Sequence, residues 1–115
     1  MPHFHHSNIG LLPEQEDAVD HFLVEVLGYR RIEAPEEIAE LARWYGDDDG
    51  LEIHLSLDPE HRPASKAHTA ITVDEVVEAR LQELSLPHDT FELDDRRIHH
   101  CRDPAGNLWE LRVGV

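Results

Sequence analysis

Residues 67–84, AHTAITVDEVVEARLQEL, change their periodicity at Asp74, and this change decides the fold. Before Asp74, larger apolar residues alternate with smaller or polar ones, as in a β-strand that buries one face. After it, Val77, Leu81 and Leu84 are spaced i, i+4 and i+7, which places them on one face of a helix. Aspartate is a common cap at a helix N-terminus. This stretch therefore predicts a strand followed directly by an amphipathic helix.

The first half of the chain has the same order of patterns. Residues 4–12 alternate as a strand would, and Pro13 ends the pattern. Residues 14–27 then show a helical periodicity before Gly28, a natural helix stop. The apolar face of this helix, spaced i, i+3, i+4 and i+7, consists of Val19, Phe22, Leu23 and Val26. A pattern that occurs twice indicates a duplicated structural unit.

Short strand patterns complete each half. In the first half they cover residues 29–33 and 51–57, with a hairpin turn at 47–50, whereas residues 35–45 fit either a helical turn or a strand. In the second half they cover residues 90–93, 97–102 and 108–113, with a turn at 103–107.

Each half is thus predicted as strand–helix–strand–strand–strand, and residues 58–66, rich in polar residues and proline, are predicted to link the halves. We expect one α+β domain spanning residues 1–115. It would have a first module over about 1–57 and a second over about 67–115, with curved mixed sheets around a concave cavity.

Length and composition exclude several classes of protein. The chain has 115 residues, the usual size of one domain. Its formal charge of −15 repels phosphate backbones, so we expect no nucleic-acid partner. We find no apolar stretch of membrane-spanning length and no signal-peptide pattern, so we expect no membrane association and a cytoplasmic location. One cysteine, Cys101, excludes an internal disulfide and suits a reducing compartment.

Four side chains able to bind a metal recur at matching places in the two halves. His6 opens the first strand and His54 lies in the strand that closes the first half, and His68 and Glu110 take these places in the second. On each strand the residue lies opposite the larger apolar side chains, so we expect all four to line one trough. Imidazole and carboxylate suit a divalent ion such as zinc, nickel, cobalt, manganese or iron(II).

Alternatives remain open for these residues. His5 could replace His6 as the first-strand ligand, although alternation favours His6, and His6 could belong to a metal-free histidine cluster. His54 could be an ordinary cavity histidine. Glu110 could be a rim carboxylate paired with Arg112.

His100 and Cys101 are adjacent in the strand before the 103–107 turn. Neighbouring strand residues face opposite ways, which argues against a joint nucleophilic role. We expect Cys101 to be packed and His100 to be a candidate acid or base that contacts a substrate. The aromatic residues expected in the core or in a cavity wall are Trp44, Tyr45 and Trp109.

Four pieces of the sequence form a recognisable set: FLVEVLGY (22–29), LEIHL (51–55), AHTAITV (67–73) and DPAGNLWEL (103–111). With these pieces the sequence resembles the vicinal-oxygen-chelate superfamily, which holds glyoxalase I, fosfomycin-resistance transferases, extradiol dioxygenases and bleomycin-resistance proteins. The resemblance implies paired βαβββ modules and, in the metal-dependent members, ligands on the first and fourth strands of each module.

Residue by residue, His68 and Glu110 match the ligand positions of the second module. His54 falls where glyoxalase-type members often carry glutamate. His6 matches the first-strand position, but Pro13 lies one residue later than is common, so Ser7 would take this position without an adjustment.

The resemblance implies two classes of function. The first is a metal-dependent lyase or isomerase of the glyoxalase type, or a dioxygenase, acting on a small substrate with vicinal oxygens. For this class we expect Glu110 and His100 as the catalytic residues, His100 from its place in the sequence and not from the resemblance. The second is a metal-free protein of the bleomycin-resistance type that binds or sequesters a small molecule. Superfamily precedent and open sheet edges also predict a homodimer.

Overall fold

The computed structural model describes residues 1–114, which divide into two compact units. The first unit is Met1–Arg62 and the second begins at Pro63, inside the predicted polar link. Each unit contains one four-stranded mixed sheet and the helical segment that follows its first strand. The prediction of two βαβββ modules in an α+β fold is therefore confirmed. Within residues 1–114 no helix is long and apolar enough to cross a membrane.

The sheet of the first unit has the strand order β1-β4-β3-β2. Its strands are β1 (His6–Leu11), β2 (Arg30–Ile32), β3 (Ala42–Gly46) and β4 (Glu52–Leu57). The first and last strands of the module, β1 and β4, are parallel neighbours, and the other pairs are antiparallel. This pairing puts His6 opposite Glu52 and Asn8 opposite His54, so His6 and His54 lie on the same face of adjacent strands.

Three kinds of helical turn follow one another between β1 and β2. They are a 3₁₀ turn (Pro13–Gln15), an α-helix α1 (Glu16–His21) and a π-helical segment (Phe22–Leu27). The predicted helix over 14–27 is confirmed as helical, but only its middle is α-helical. The Gln15 side chain accepts a hydrogen bond from the Leu12 N–H and closes the first turn. The segment ends at Gly28, whose φ of 92° requires the left-handed conformation that glycine tolerates.

Residues 35–45 contain both structures that their sequence allowed. A 3₁₀ turn, Glu36–Ile38, follows Pro35, because proline presets the φ of a first helical turn. The strand β3 begins at Ala42, within the part of the segment that also fitted a strand.

The sheet of the second unit has the order β5-β8-β7-β6, again with its first and last strands parallel. Its elements are β5 (His68–Val73), α2 (Glu75–Glu83), β6 (Asp89–Leu93), β7 (Arg96–Arg102) and β8 (Leu108–Val113). The Asp74 carboxylate accepts a hydrogen bond from the Val77 N–H at 2.9 Å, so the predicted helix cap is confirmed.

The core of each unit is built from alternate strand residues. Leu11, Tyr45 and Leu55 are fully buried in the first unit, and Trp109 and Leu111 in the second. The expected core positions of Tyr45 and Trp109 are thus confirmed.

Cys101 is also fully buried, as expected for a packed cysteine. Burial raises the pKa of its thiol to about 12, and the Asp103 carboxylate adds to this effect. A thiol in this state is a poor nucleophile because only the thiolate reacts.

Candidate functional site

In the first unit, His54 lies among aromatic rings. Its ring stacks on His6 of β1, with 3.8 Å between centroids and 18° between planes. It also stacks on Trp44 of β3, at 4.0 Å and 3°. His54 Nε2 lies 2.7 Å from Glu52 Oε1, and the residue is only 5% exposed. The ring is therefore held in one orientation by two stacking partners and one carboxylate.

His5 lies beside the same cluster. Its Nδ1 atom is 2.9 Å from His6 Nδ1, and its ring centroid is 6.5 Å from that of His54. The pKa of His6 is lowered, mainly by partial desolvation and to a smaller extent by the neighbouring His54 and His5 rings. His6 is the nearer neighbour of His54, but the choice of first-strand ligand between His5 and His6 stays a prediction.

In the second unit, Glu110 of β8 is the centre of a polar cluster. Its Oε1 lies 3.6 Å from His68 Nε2 on β5 and 3.4 Å from His100 Nε2 on β7. Arg112 Nη1 donates to the other oxygen, Oε2, at 3.0 Å. The pKa of the Glu110 carboxyl lies below its usual value, mainly because of this bond from Arg112. The bond with His100 lowers the pKa further, whereas partial burial raises it.

One separation in the second unit is close to that of two ligands on one metal ion. With bonds of about 2.1 Å, two ligands of a tetrahedral zinc ion lie about 3.4 Å apart. His68 Nε2 and Glu110 Oε1 are separated by 3.6 Å, close to this value. Among residues 1–114, no group of three or more His, Cys, Asp or Glu side chains is arranged to hold a metal ion. Each unit thus brings together one ligand-competent pair, and joint metal binding stays a prediction.

Three contacts of these pairs were not predicted from the sequence. They are those of Glu52 and Trp44 with His54, and that of His100 with Glu110. Glu52 could have been found, because residues i and i+2 of a strand share a face. Contacts across strands depend on register, which the sequence did not reveal. The pairing of Arg112 with Glu110 was one of the open alternatives and does occur.

An open pocket of about 520 Å³ lies in the first unit at the edge of its sheet. Its lining includes Arg31 and Arg43, the apolar side chain of Ile32, and Trp44. Trp44 therefore contributes to a cavity wall, as expected, but it also stacks on His54, although stacking was not expected of it.

Neither a protein-family profile nor a curated protein matches the sequence. Solved structures do match. A protein from Bacillus anthracis described as a glyoxalase family member superimposes with a TM-score of 0.86 at 22% identity, covering 100% of this chain and 97% of its own. A glyoxalase/dioxygenase from Nostoc punctiforme gives 0.79 at 20% identity, covering 98% and 91%. A fosfomycin resistance protein from Listeria monocytogenes gives 0.75 at 14%, covering 100% and 95%.

This chain has the vicinal-oxygen-chelate fold. The match extends over both βαβββ modules, because each of these structures aligns with almost the whole chain. At such low identities the likeness establishes the vicinal-oxygen-chelate fold alone, since one fold hosts many activities. An activity has to be argued from the side chains of this sequence.

Proposed function

We propose that the protein is a metal-dependent enzyme of the glyoxalase type, a lyase or isomerase, or a dioxygenase, acting on a small substrate with vicinal oxygens. One observation carries this proposal. In each module, the neighbouring first and fourth strands bring a ligand-competent pair together: His6 with His54, and His68 with Glu110. The two modules thus place ligand-competent pairs at equivalent positions, two stacked imidazoles in the first and an imidazole with a carboxylate in the second.

The proposed ligands of a divalent ion are His6, His54, His68 and Glu110. When bound, zinc, nickel, cobalt, manganese or iron(II) would supply Lewis acidity toward a substrate with two adjacent oxygens. Arg112 holds one oxygen of Glu110 and leaves the other facing the two histidines. His100, bonded to Glu110 through Nε2, is positioned to exchange a proton with a substrate in our proposal.

A second candidate is a metal-free protein of the bleomycin-resistance type that binds a small molecule. It is favoured by the partners that two of the proposed ligands have within the protein, because Glu52 contacts His54 and Arg112 contacts Glu110. The formal charge of −15 would attract a cationic ligand.

A thermal-shift experiment tests the metal. Divalent ions are expected to raise the melting temperature, because a ligand that binds only the native state stabilises it, by about 2.7 kcal/mol at a hundredfold excess over Kd. His68→Ala and Glu110→Ala should each remove the shift. Ser7→Ala is the matched control on β1 and should keep it. Protein purified without a His tag should also contain the ion by elemental analysis. No shift and no cobalt spectrum would leave the binding protein as the better candidate.

A bidentate probe separates the enzyme from the binding protein. A small hydroxamate is expected to bind the metal-loaded protein and not Glu110→Ala, because it offers two adjacent oxygens to the ion. A cationic glycopeptide drug should bind weakly and should be released at high salt, because salt screens its attraction to the acidic surface. Calorimetric titration measures both. Tight binding of the drug by metal-free protein, without affinity for the hydroxamate, would contradict the enzyme.

We also propose a symmetric homodimer. The edge strand β6 carries Phe91 and Leu93, which are 38% and 48% exposed, and a partner would cover such an edge. Sedimentation equilibrium at micromolar concentration should give the mass of two chains. A single-chain mass would overturn the proposal.

A further inference from the structure

A chain of two hydrogen bonds joins three residues of the second unit that have no part in the proposed metal site. Thr90 lies on β6 and His99 directly opposite on β7, with 2.8 Å between Thr90 Oγ1 and His99 Nδ1. His99 Nε2 lies 2.7 Å from Glu78 Oε2 on α2. His99 and Glu78 are buried, at 1% and 6% exposure, whereas Thr90 is exposed. The hydroxyl of an exposed residue is thus linked to a buried imidazole and a buried carboxylate.

The charge of Glu78 sets the direction of its bond with His99. Arg97 donates two hydrogen bonds of 2.7 Å to this carboxylate, and they are the main cause that lowers its pKa to about 2. A carboxylate only accepts, so His99 Nε2 must carry a proton. In the neutral imidazole, Nδ1 is then the acceptor, and the Thr90 hydroxyl donates to it. This neutral form would offer a free base nitrogen to the threonine proton.

We propose that Thr90 is a nucleophile toward activated acyl groups, esters or thioesters, with His99 as its general base and Glu78 as a positioning residue. Both distances fall within the reach required of a nucleophile, its base and the group that orients the base. This centre is separate from the Glu110 cluster. His99 and His100 are adjacent in β7 and face opposite sides of the sheet, and only His100 contacts Glu110.

The reaction balances without any further reagent. Thr90 Oγ1 forms a bond to the acyl carbon while its proton passes to His99 Nδ1. The bond from that carbon to the leaving oxygen or sulfur then breaks, and His99 returns the proton to the leaving atom. Glu78 stabilises the imidazolium that exists between these steps. The products are a Thr90 ester and a free alcohol or thiol.

The chain suits a labelling test with p-nitrophenyl acetate. Lys66 is its only lysine, and the single cysteine is buried with a raised pKa, so competing side chains are few. The full-length protein carrying Lys66→Arg is treated with the ester and quenched in acid at successive times. The acetyl group is located by peptide mass mapping. Bound acetyl is the readout, because ten histidines can hydrolyse the ester without keeping a label.

We expect one acetyl group on Thr90. Thr90→Ser should keep the label, and Thr90→Val should lose it while staying folded, because it preserves the shape of an exposed side chain. Thr72→Val, at an exposed threonine of β5, is the matched control and should label like its parent. The proposal would be overturned if Thr90 were acetylated no faster than Thr72. It would also be overturned if Thr90→Val left the total amount of bound acetyl unchanged.

Two further measurements address the base and its positioning residue. His99→Gln should slow Thr90 labelling by about a hundredfold, the usual contribution of a general base. Nitrogen NMR of the native protein should show His99 protonated at Nε2, and Glu78→Gln should change this tautomer. A proton on Nδ1 in the native protein would contradict the mechanism even if His99→Gln fails to fold.

Discussion

Glu78→Gln is expected to lower the free energy of unfolding by about 3 kcal/mol at neutral pH, because hydrogen bonds in the folded protein stabilise the ionised Glu78 carboxylate. The Glu78 side chain is 7% exposed and accepts two bonds from Arg97 and one from His99. Its pKa falls from 4.5 to about 2, first through Arg97. A lowered carboxyl pKa stabilises the protein above the pKa of the unfolded chain. This stability is lost as the pH falls from about 4.5 toward 2.

Urea denaturation across this acid range measures the effect. The free energy of unfolding of the native protein should fall steeply with pH in this range. For Glu78→Gln it should fall less steeply, because glutamine does not titrate. Glu83→Gln removes an exposed carboxylate from the same helix and should change stability by less than about 0.5 kcal/mol. Equal slopes for the native protein and Glu78→Gln would show that another group controls acid unfolding.

The strands and the second helix were predictable because their periodicity is strong. In β8 and β4 the buried residues alternate with more exposed ones, with His54 as the exception, and the Asp74 cap marks the start of α2. The π-helical end of the first helical segment was not predictable. Its apolar residues have the ordinary helical spacing, so the sequence pattern does not distinguish a π-helical turn from an α-helical one.

The candidate site was predictable to the level of pairs. Repetition of the module gave His6 with His54 and His68 with Glu110, since parallel pairing of the first and fourth strands brings each pair together. The Thr90–His99–Glu78 chain left no sequence signal. It joins a helix to two strands through tertiary contacts, and the sequence analysis assigned no role to Glu78.

Asp103→Ala is expected to cost roughly 3 to 5 kcal/mol of folding free energy, because several buried donors lose their acceptor together. The Asp103 residue is 4% exposed. One carboxylate oxygen accepts from the N–H groups of Ala105 and Asn107, at 2.9 and 3.1 Å. The other accepts from the Trp109 indole N–H at 3.0 Å and from the Asn107 amide. These hydrogen bonds connect the 103–107 turn to Trp109, a fully buried residue of β8.

A double-mutant cycle separates the bond to the indole from the bonds to the turn. Trp109→Phe removes the indole N–H, so Asp103→Ala should cost at least about 1 kcal/mol less in that background, as expected for residues in direct contact. Asp103→Asn is the matched control, because it keeps one acceptor oxygen and should lose less stability than alanine does. Denaturant titration of the four proteins in the cycle gives the coupling energy directly. Additive losses would mean that Asp103 stabilises the turn alone, and that the indole bond contributes nothing to the packing of β8.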